Sequence, residues 1–396
     1  MTVGQGAVGA TITVEELERD PYPAYARLRA DEPVSWVEAV GLWLVTRWDD
    51  VLEVIEHPDL YTGETNPSTL ARTFGPNMLA SEGPYHDRIR AIVEPAFRPG
   101  AVRPYIDSII APIAHELIDA FADRGEVELM SAFAEKLSVR SLQHVLGLES
   151  LDDDRLRAWF NDLGLGASNF EGDTAKQEVA DAASGEVNET VSALLEEPGA
   201  LPEDSILARM RDEEVDGERL TVEEICSNLK VMLVGGMQEP GDAVGIGLWA
   251  LLSHPDQADE VRADPDTLIR PASEEGLRWH SPVGTSTRQA TRPATLAGVD
   301  LEEGALIAAV VSSANRDERH WTDPDRYDIH RKGAHLAFAT GTHHCVGAWL
   351  ARAEIRTAFR ALFERLPKLR LDDHHPIELH GWEFRGPKHL HVRWDA

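Results

Sequence analysis

Two thiols occur in 396 residues, Cys226 and Cys345, and the second stands where a thiol could do chemistry. Cys345 follows a glycine-bearing loop and precedes a segment, Val346 to Phe363, that reads as a helix. A helix N-terminus offers unpaired N–H groups and a positive dipole end, and both favour a thiolate over a thiol. A metal on the sulfur would complete that preference. Residue type alone leaves other readings open. A lone cysteine is usually a small buried hydrophobe. His343, His344 and Cys345 could also suggest zinc, but adjacent ligands with no second Cys/His pair nearby suit zinc poorly.

Charged residues form a second set. Glu275 and Arg278 are three apart, on one helix face. His86 and Arg90 share a helical face in PYHDRIRAIVEPAF, and Arg288 follows the helix that carries Glu275 and Arg278. Arg and His suit charge-assisted bonds to carboxylates. Arg352, Arg356 and Arg360 recur every four residues after Cys345 and would line one side of that helix.

These residues need elements to position them. The segment from Thr221 to Pro255 is apolar on nearly every side, as a helix through the middle of a protein must be. Thr221 and Glu224 form a capping box at its start. Some thirty residues would span roughly 45 Å. It is interrupted at Gly235-Gly236-Met237-Gln238-Glu239-Pro240. Pro240 has no N–H, so the Gly236 carbonyl loses its helical partner and a kink is predicted.

Further helices are expected over residues 21–30, 49–56, 85–97, 103–124, 131–147, 153–164 and 174–196. Hairpins are expected at 33–37 with 42–45 and at 295–299 with 305–311, and a Gly-Pro turn before the alternating Leu390, Val392 and Trp394. The expected class is mainly α with small β-sheets, in one unit over residues 1–396. A net charge of −31 disfavours nucleic acid and anionic membrane surfaces as partners. Two cysteines make no disulfide framework and fit a reducing compartment. No signal-peptide pattern and no run of about 18 apolar residues is present, so the expectation is a cytoplasmic protein.

The segment Phe338-Ala-Thr-Gly341-Thr-His343-His-Cys345-Val-Gly347 resembles the haem-ligand loop of the cytochrome P-450 superfamily, Phe-Gly-x-Gly-x-His-x-Cys-x-Gly. Ala339 replaces the usual first glycine. Glu275, Arg278 and Pro282 resemble the family's E-x-x-R helix. Pro324-Asp-Arg326-Tyr327 resembles its Pro-Glu-Arg-Phe box, with Arg331 close behind, and Ala314 to Asp317 its Ala-Asn-Arg-Asp segment. The resemblance implies the cytochrome P-450 fold with the long helix over the haem, and heme b (iron protoporphyrin IX) as cofactor. Cys345 would be the iron ligand, with Phe338 shielding the sulfur and Gly347 allowing close approach. His86, Arg90, Arg288 and His343 would meet the propionates. Glu275, Arg278 and Arg326 would brace the core.

The oxygen-side segment departs from the family's Ala/Gly-Gly-x-Asp/Glu-Thr-Thr. Gln238 stands where the acid usually is and Glu239 where the first threonine is. The resemblance makes Gly236, Gln238 and Glu239 the catalytic candidates, with Glu239 as the proton-relay group. Met237 to Gly241 together with Gly381 to Pro387 resemble bacterial guaiacol-type aromatic O-demethylases of the superfamily. That implies O-demethylation of a small methoxylated aromatic to a phenol and formaldehyde. The alternatives are hydroxylation or peroxygenation of another small apolar substrate, or a haem protein without turnover. The implied pocket walls are Phe74 and Phe384, with Ala167, and Phe170 close by, where those enzymes carry a third phenylalanine. The implied partners are a small aromatic substrate, dioxygen and an electron-transfer partner, a ferredoxin-type protein or a flavin/iron-sulfur reductase. That donor would dock near the arginine stripe.

Overall fold

A computed structural model describes residues 8–169 and 172–395. The chain is built round a helix in two halves, Val222–Met237 and Glu239–Leu252, joined at Gln238. The capping box forms as expected: Thr221 Oγ1 accepts from the Glu224 N–H, and the Glu224 carboxylate accepts from the Thr221 N–H. The break falls where Pro240 removes a donor. The Gly236 carbonyl is nevertheless not free. The hydroxyl of Ser138, on the helix Glu135–Leu146, donates to it at 3.2 Å. The expectation of a vacant carbonyl is therefore corrected: a neighbouring helix supplies the donor that proline withholds.

Around this pair pack the helices Glu135–Leu146, Thr174–Glu196, Pro265–Trp279 and Ala348–Arg365. Helix Pro265–Trp279 crosses so closely that a Cβ on Gly276 would lie 2.9 Å from Gly247 Cα. Two glycines at the crossing thus set how near the Glu275–Arg278 helix comes to the central one.

The five-stranded sheet runs Val34–Val37, Leu42–Val45, Leu306–Ala309, Ser286–Ala290, Tyr61–Thr62. All pairs are antiparallel except the parallel contact of Leu42–Val45 with Leu306–Ala309. The first hairpin has its expected register, Val34 opposite Val45. The second does not. Ala294–Leu296 pairs with Val299–Leu301 through Ala297 and Gly298, whose φ of 48° and 81° make a primed two-residue turn. Leu306–Ala309 is thereby released to the central sheet, beside Arg288. Gly386–Pro387 is a short strand against Leu379–His380 rather than a turn. The helix expected over 103–124 is interrupted by a π-helical turn at Ile106–Ile110. No helix among the described residues is long and apolar enough to cross a membrane.

Candidate active site

Cys345 is held by its loop before its chemistry begins. Its N–H donates to the Phe338 carbonyl at 3.0 Å, and Gly347 caps the helix Ala348–Arg365. The Gly347 N–H points at the sulfur, and the Arg90 and Arg352 charges act on it. Burial acts the other way and is the largest influence, so the thiol is pushed up from its ordinary value. A helix N-terminus alone therefore does not produce the thiolate here. A cation on the sulfur would. The side chain is exposed to water-sized contact although protein surrounds it, so it borders an internal opening.

Phe338 lies beside the sulfur's loop with the Arg352 guanidinium over its ring at 4.3 Å. Ala339, at the position of the first glycine of the resembled loop, takes φ +52°, in the left-handed region that favours glycine. The loop geometry is kept at the expense of strain.

The opposite wall is the middle of the central helix pair. Between Ile225 and Leu248 only Val231, Val234, Gly235, Gly236, Gln238 and Glu239 are not buried. A Cβ on Gly235 would meet nothing within 4 Å, whereas one on Gly236 would press on Leu142 at 3.1 Å. Gly235, not Gly236, faces the open space. Gly236 contributes close packing and a carbonyl already bonded to Ser138. Glu239 has no partner for Oε2, and its carboxyl accepts from the N–H groups of Glu239 and Gln238 freed by the helix break. Burial raises it to about 7, and those N–H bonds moderate the rise. Its charge is felt at Cys345.

Beside the opening lies a basic cluster. His86 and Arg288 are buried, and His86 Nε2 with Arg288 Nε and Nη2 lack any partner. The His86 and His343 rings meet edge to face at 4.8 Å. His343 Nε2 bonds Glu82 Oε1 at 3.0 Å, and that oxygen also accepts from Gly63 N at 2.7 Å. Arg90 is drawn away: its Nε donates to Glu94 at 2.9 Å, and its charge acts on His344 and Cys345. These three buried nitrogens stay uncompensated unless a ligand carries acceptors to them. Two propionates fit that requirement, and an electron-rich sulfur opposite fits an iron. The residues present suit haem.

Beneath the loop, Arg278 donates through Nε and Nη2 to both Glu275 oxygens at 2.7 and 2.8 Å. Its remaining bonds go to the carbonyls of Asn315, Pro324 and Arg326. The second cation on Glu275 is Arg331, at 3.0 Å. Arg326 is corrected: its side chain is exposed, and it contributes only its carbonyl, to both Arg278 and Arg331.

The implied pocket walls divide. Phe384 is 55 % exposed, on a segment bridging Val283. Phe74 is 1 % exposed and packs in the main core, so it is not an open wall. Ala167, half-buried, ends the helix Asp153–Ala167, and Phe170 lies outside the described residues. The arginine stripe is largely neutralised: Arg352 and Arg356 both bond Glu274, and Arg360 bonds Asp266 and Glu364. Although burial acts upward, His335 and Arg352 hold the Glu274 carboxyl well below the carboxylate range. A groove of about 910 Å³ between Tyr22, Trp249, Trp279 and Arg385 shares no residue with this site.

Sequence reasoning missed Glu82, Ser138, Asp242 and Glu274. Only Asp242 had a local signal, four residues after Gln238. Gln238 Nε2 donates to Asp242 Oδ2 at 3.2 Å.

Residues 174–379 match the sequence model of the family Cytochrome P450. The chain is 36% identical to cytochrome P450 monooxygenase PikC of Streptomyces venezuelae, covering 98% of this chain and 93% of that protein. It is 32% identical to 6-deoxyerythronolide B hydroxylase of Saccharopolyspora erythraea, over 97% and 100% of the two chains. The crystal structure of CalO2 superposes with a TM-score of 0.87 at 30% identity, covering 96% of this chain and 97% of that one.

Proposed function

As a member of the cytochrome P450 family this chain is a monooxygenase with heme b as cofactor, and we propose that it hydroxylates an apolar organic substrate. One observation carries the reading: the Cys345 sulfur is exposed although protein surrounds it, and the charge of Glu239, on the central helix pair beside the unburied Val231, Val234 and Gly235, is felt there. The name of the hydroxylase relative supports the same choice.

Bound on Cys345, the haem supplies dioxygen activation and oxidation of a substrate C–H bond. His86, Arg288 and His343 hold its carboxylates with donors that the protein leaves free or half-used. Phe338, with the Arg352 guanidinium stacked on its ring, begins the loop that carries the sulfur. Val231 and Val234 offer an apolar wall, and Gly235 leaves room beside them. Glu239, unpartnered at Oε2 and raised by burial to about 7, can release a proton and be recharged near neutral pH. Electrons come from a separate ferredoxin-type or flavin/iron-sulfur partner.

O-demethylation of a small methoxylated aromatic is the second reading. The same hydroxylation at a methoxy carbon gives a hemiacetal that collapses to a phenol and formaldehyde. The Gln238-Glu239-Pro240 segment favours it. The core position of Phe74 and the hydroxylase relative weigh against it. The test begins with the reduced, carbon monoxide-bound spectrum, where a far red-shifted Soret band is expected for thiolate ligation. Products are then read from a panel of macrolactones, steroids, fatty acids and methoxyphenols with a competent reductase. Hydroxylated products are expected. Formaldehyde from methoxyphenols alone would favour the second reading, and no substrate-dependent dioxygen consumption would overturn both.

A further inference from the structure

The acid that the central helix lacks at position 238 stands one turn further on. Asp242 is 7 % exposed, and its Oδ2 accepts from the Gln238 amide at 3.2 Å. No cation pairs with it among the described residues. A Cβ on Gly386 would overlap its carboxyl, so the Gly386–Pro387 strand closes directly over it and needs glycine there. Three residues back lies Glu239, whose Oε2 has no partner.

On its outer side, the backbone of Gly241 packs on Ala134 and Glu135, a Cβ there lying 3.4 Å from Glu135 Cα. Glu135 is 36 % exposed at its side chain and bonds Arg157 at 2.7 Å. The charged groups acting on Asp242 are therefore acidic on both sides, Glu239 on its own helix and Glu135 on the next, with Arg157 engaged by Glu135. The partly exposed Glu135 and the Glu239 carboxyl thus act on Asp242 from two different helices.

We propose that Asp242, positioned by Gln238 and Gly386, recharges Glu239 with protons drawn from the Glu135 side of the fold. Glu239 releases one proton from its carboxyl into the opening. The Asp242 carboxyl transfers one proton across the intervening turn to the Glu239 carboxylate. Water beside Glu135 returns one proton to Asp242. One proton moves inward per cycle, and nothing is oxidised or reduced. Burial, and then the neighbouring Glu239 charge, raise the Asp242 carboxyl well above its ordinary value, so it holds the proton it must pass on. The inference rests on Glu239 as the inner relay.

The experiment compares haem-loaded Asp242→Asn, Asp242→Glu and Glu239→Gln with the parent. The first readout needs no turnover: the infrared C=O stretch of protonated carboxyls, identified by its shift in D2O, at neutral pH. Asp242→Asn is expected to remove one such band and Asp242→Glu to keep it. The second readout is product formed per electron pair, with its pH profile and solvent isotope effect. Asp242→Asn is expected to lower coupled turnover about tenfold at unchanged KM and to raise the isotope effect. Asp242→Glu, which also controls for folding, should recover most of it. Gly386→Ala, which displaces the carboxyl without removing it, should lower coupled turnover as Asp242→Asn does while keeping the carboxyl band, shifted in frequency. If Glu239→Gln impairs coupling while Asp242→Asn leaves the band, coupling and isotope effect unchanged, this inference fails and the Glu239 reading stands. If Asp242→Asn impairs coupling but Glu239→Gln does not, the route does not pass through Glu239 and the inference fails. If neither changes, both fail.

Discussion

Replacing Arg331 and Arg326 by alanine separates a side-chain role from a main-chain one. Arg331 donates to Glu275 Oε1 at 3.0 Å and to the carbonyls of Thr322, Asp323 and Arg326 at 2.6, 3.0 and 2.9 Å. Glu275 is buried, so the bond to it is charge-assisted and shielded from water, worth ~1.5–3 kcal/mol. The three carbonyl bonds are near the surface, where water replaces most of their worth, about 0.5 kcal/mol each. Arg331→Ala is therefore expected to cost about 3 to 4.5 kcal/mol, a large part of the ~5–15 kcal/mol that holds a domain folded. Glu275 keeps Arg278, so the loss stays below that of an orphaned buried carboxylate. Arg326→Ala removes an exposed side chain and leaves its carbonyl, so about 0.5 kcal/mol or less is expected. Urea unfolding midpoints and slopes, with haem retention after gel filtration, measure both variants. Equal losses for the two, or a larger loss for Arg326→Ala, would refute the assignment of Arg331 as the second cation on Glu275.

Ser138→Ala leaves the Gly236 carbonyl without a donor and should destabilise by about 1–2 kcal/mol; in a Pro240→Ala background, where a backbone N–H returns, the same change should cost about half that or less, and additive costs in a double-mutant cycle would count against the Ser138 bond. Ala339→Gly relieves a left-handed backbone at φ +52° and should raise stability by about 1 kcal/mol with the loop unchanged, read from the urea midpoint and the carbon monoxide spectrum. Glu239 binds its proton more tightly folded than unfolded, at about 7 against 4.5, so its effect on stability is absent well below pH 4.5 and grows as a penalty while pH rises through 4.5 to 7. Glu239→Gln should thus gain about 1 kcal/mol at pH 5 and about 3 kcal/mol at pH 8 over the parent; a gain independent of pH would contradict the raised value.

The parts of this molecule legible in its sequence are those whose cause is local. The capping box at Thr221, the break at Pro240 and the first hairpin each depend on residues within a few positions, and the structure has all three. Where the cause comes from another element, the pattern misled. Phe74 matched a pocket residue by its tetrapeptide, but packing decides whether a phenylalanine faces an opening, and here the core takes it. Gly236 lost its helical donor as expected, yet the replacement came from Ser138, 98 residues away. Arg326 shows the deeper reason. It matches its family box by type, yet the structure uses only its carbonyl, which any residue would supply. A motif therefore fixes a path of the main chain before it fixes a side-chain role, and Arg331, outside the four-residue box, carries the charge. Asp242 follows the same logic in reverse: its type departs from no expected pattern, and only the closure of Gly386 over its carboxyl and the Gln238 amide on its oxygen turn an acid on a helix into part of a site.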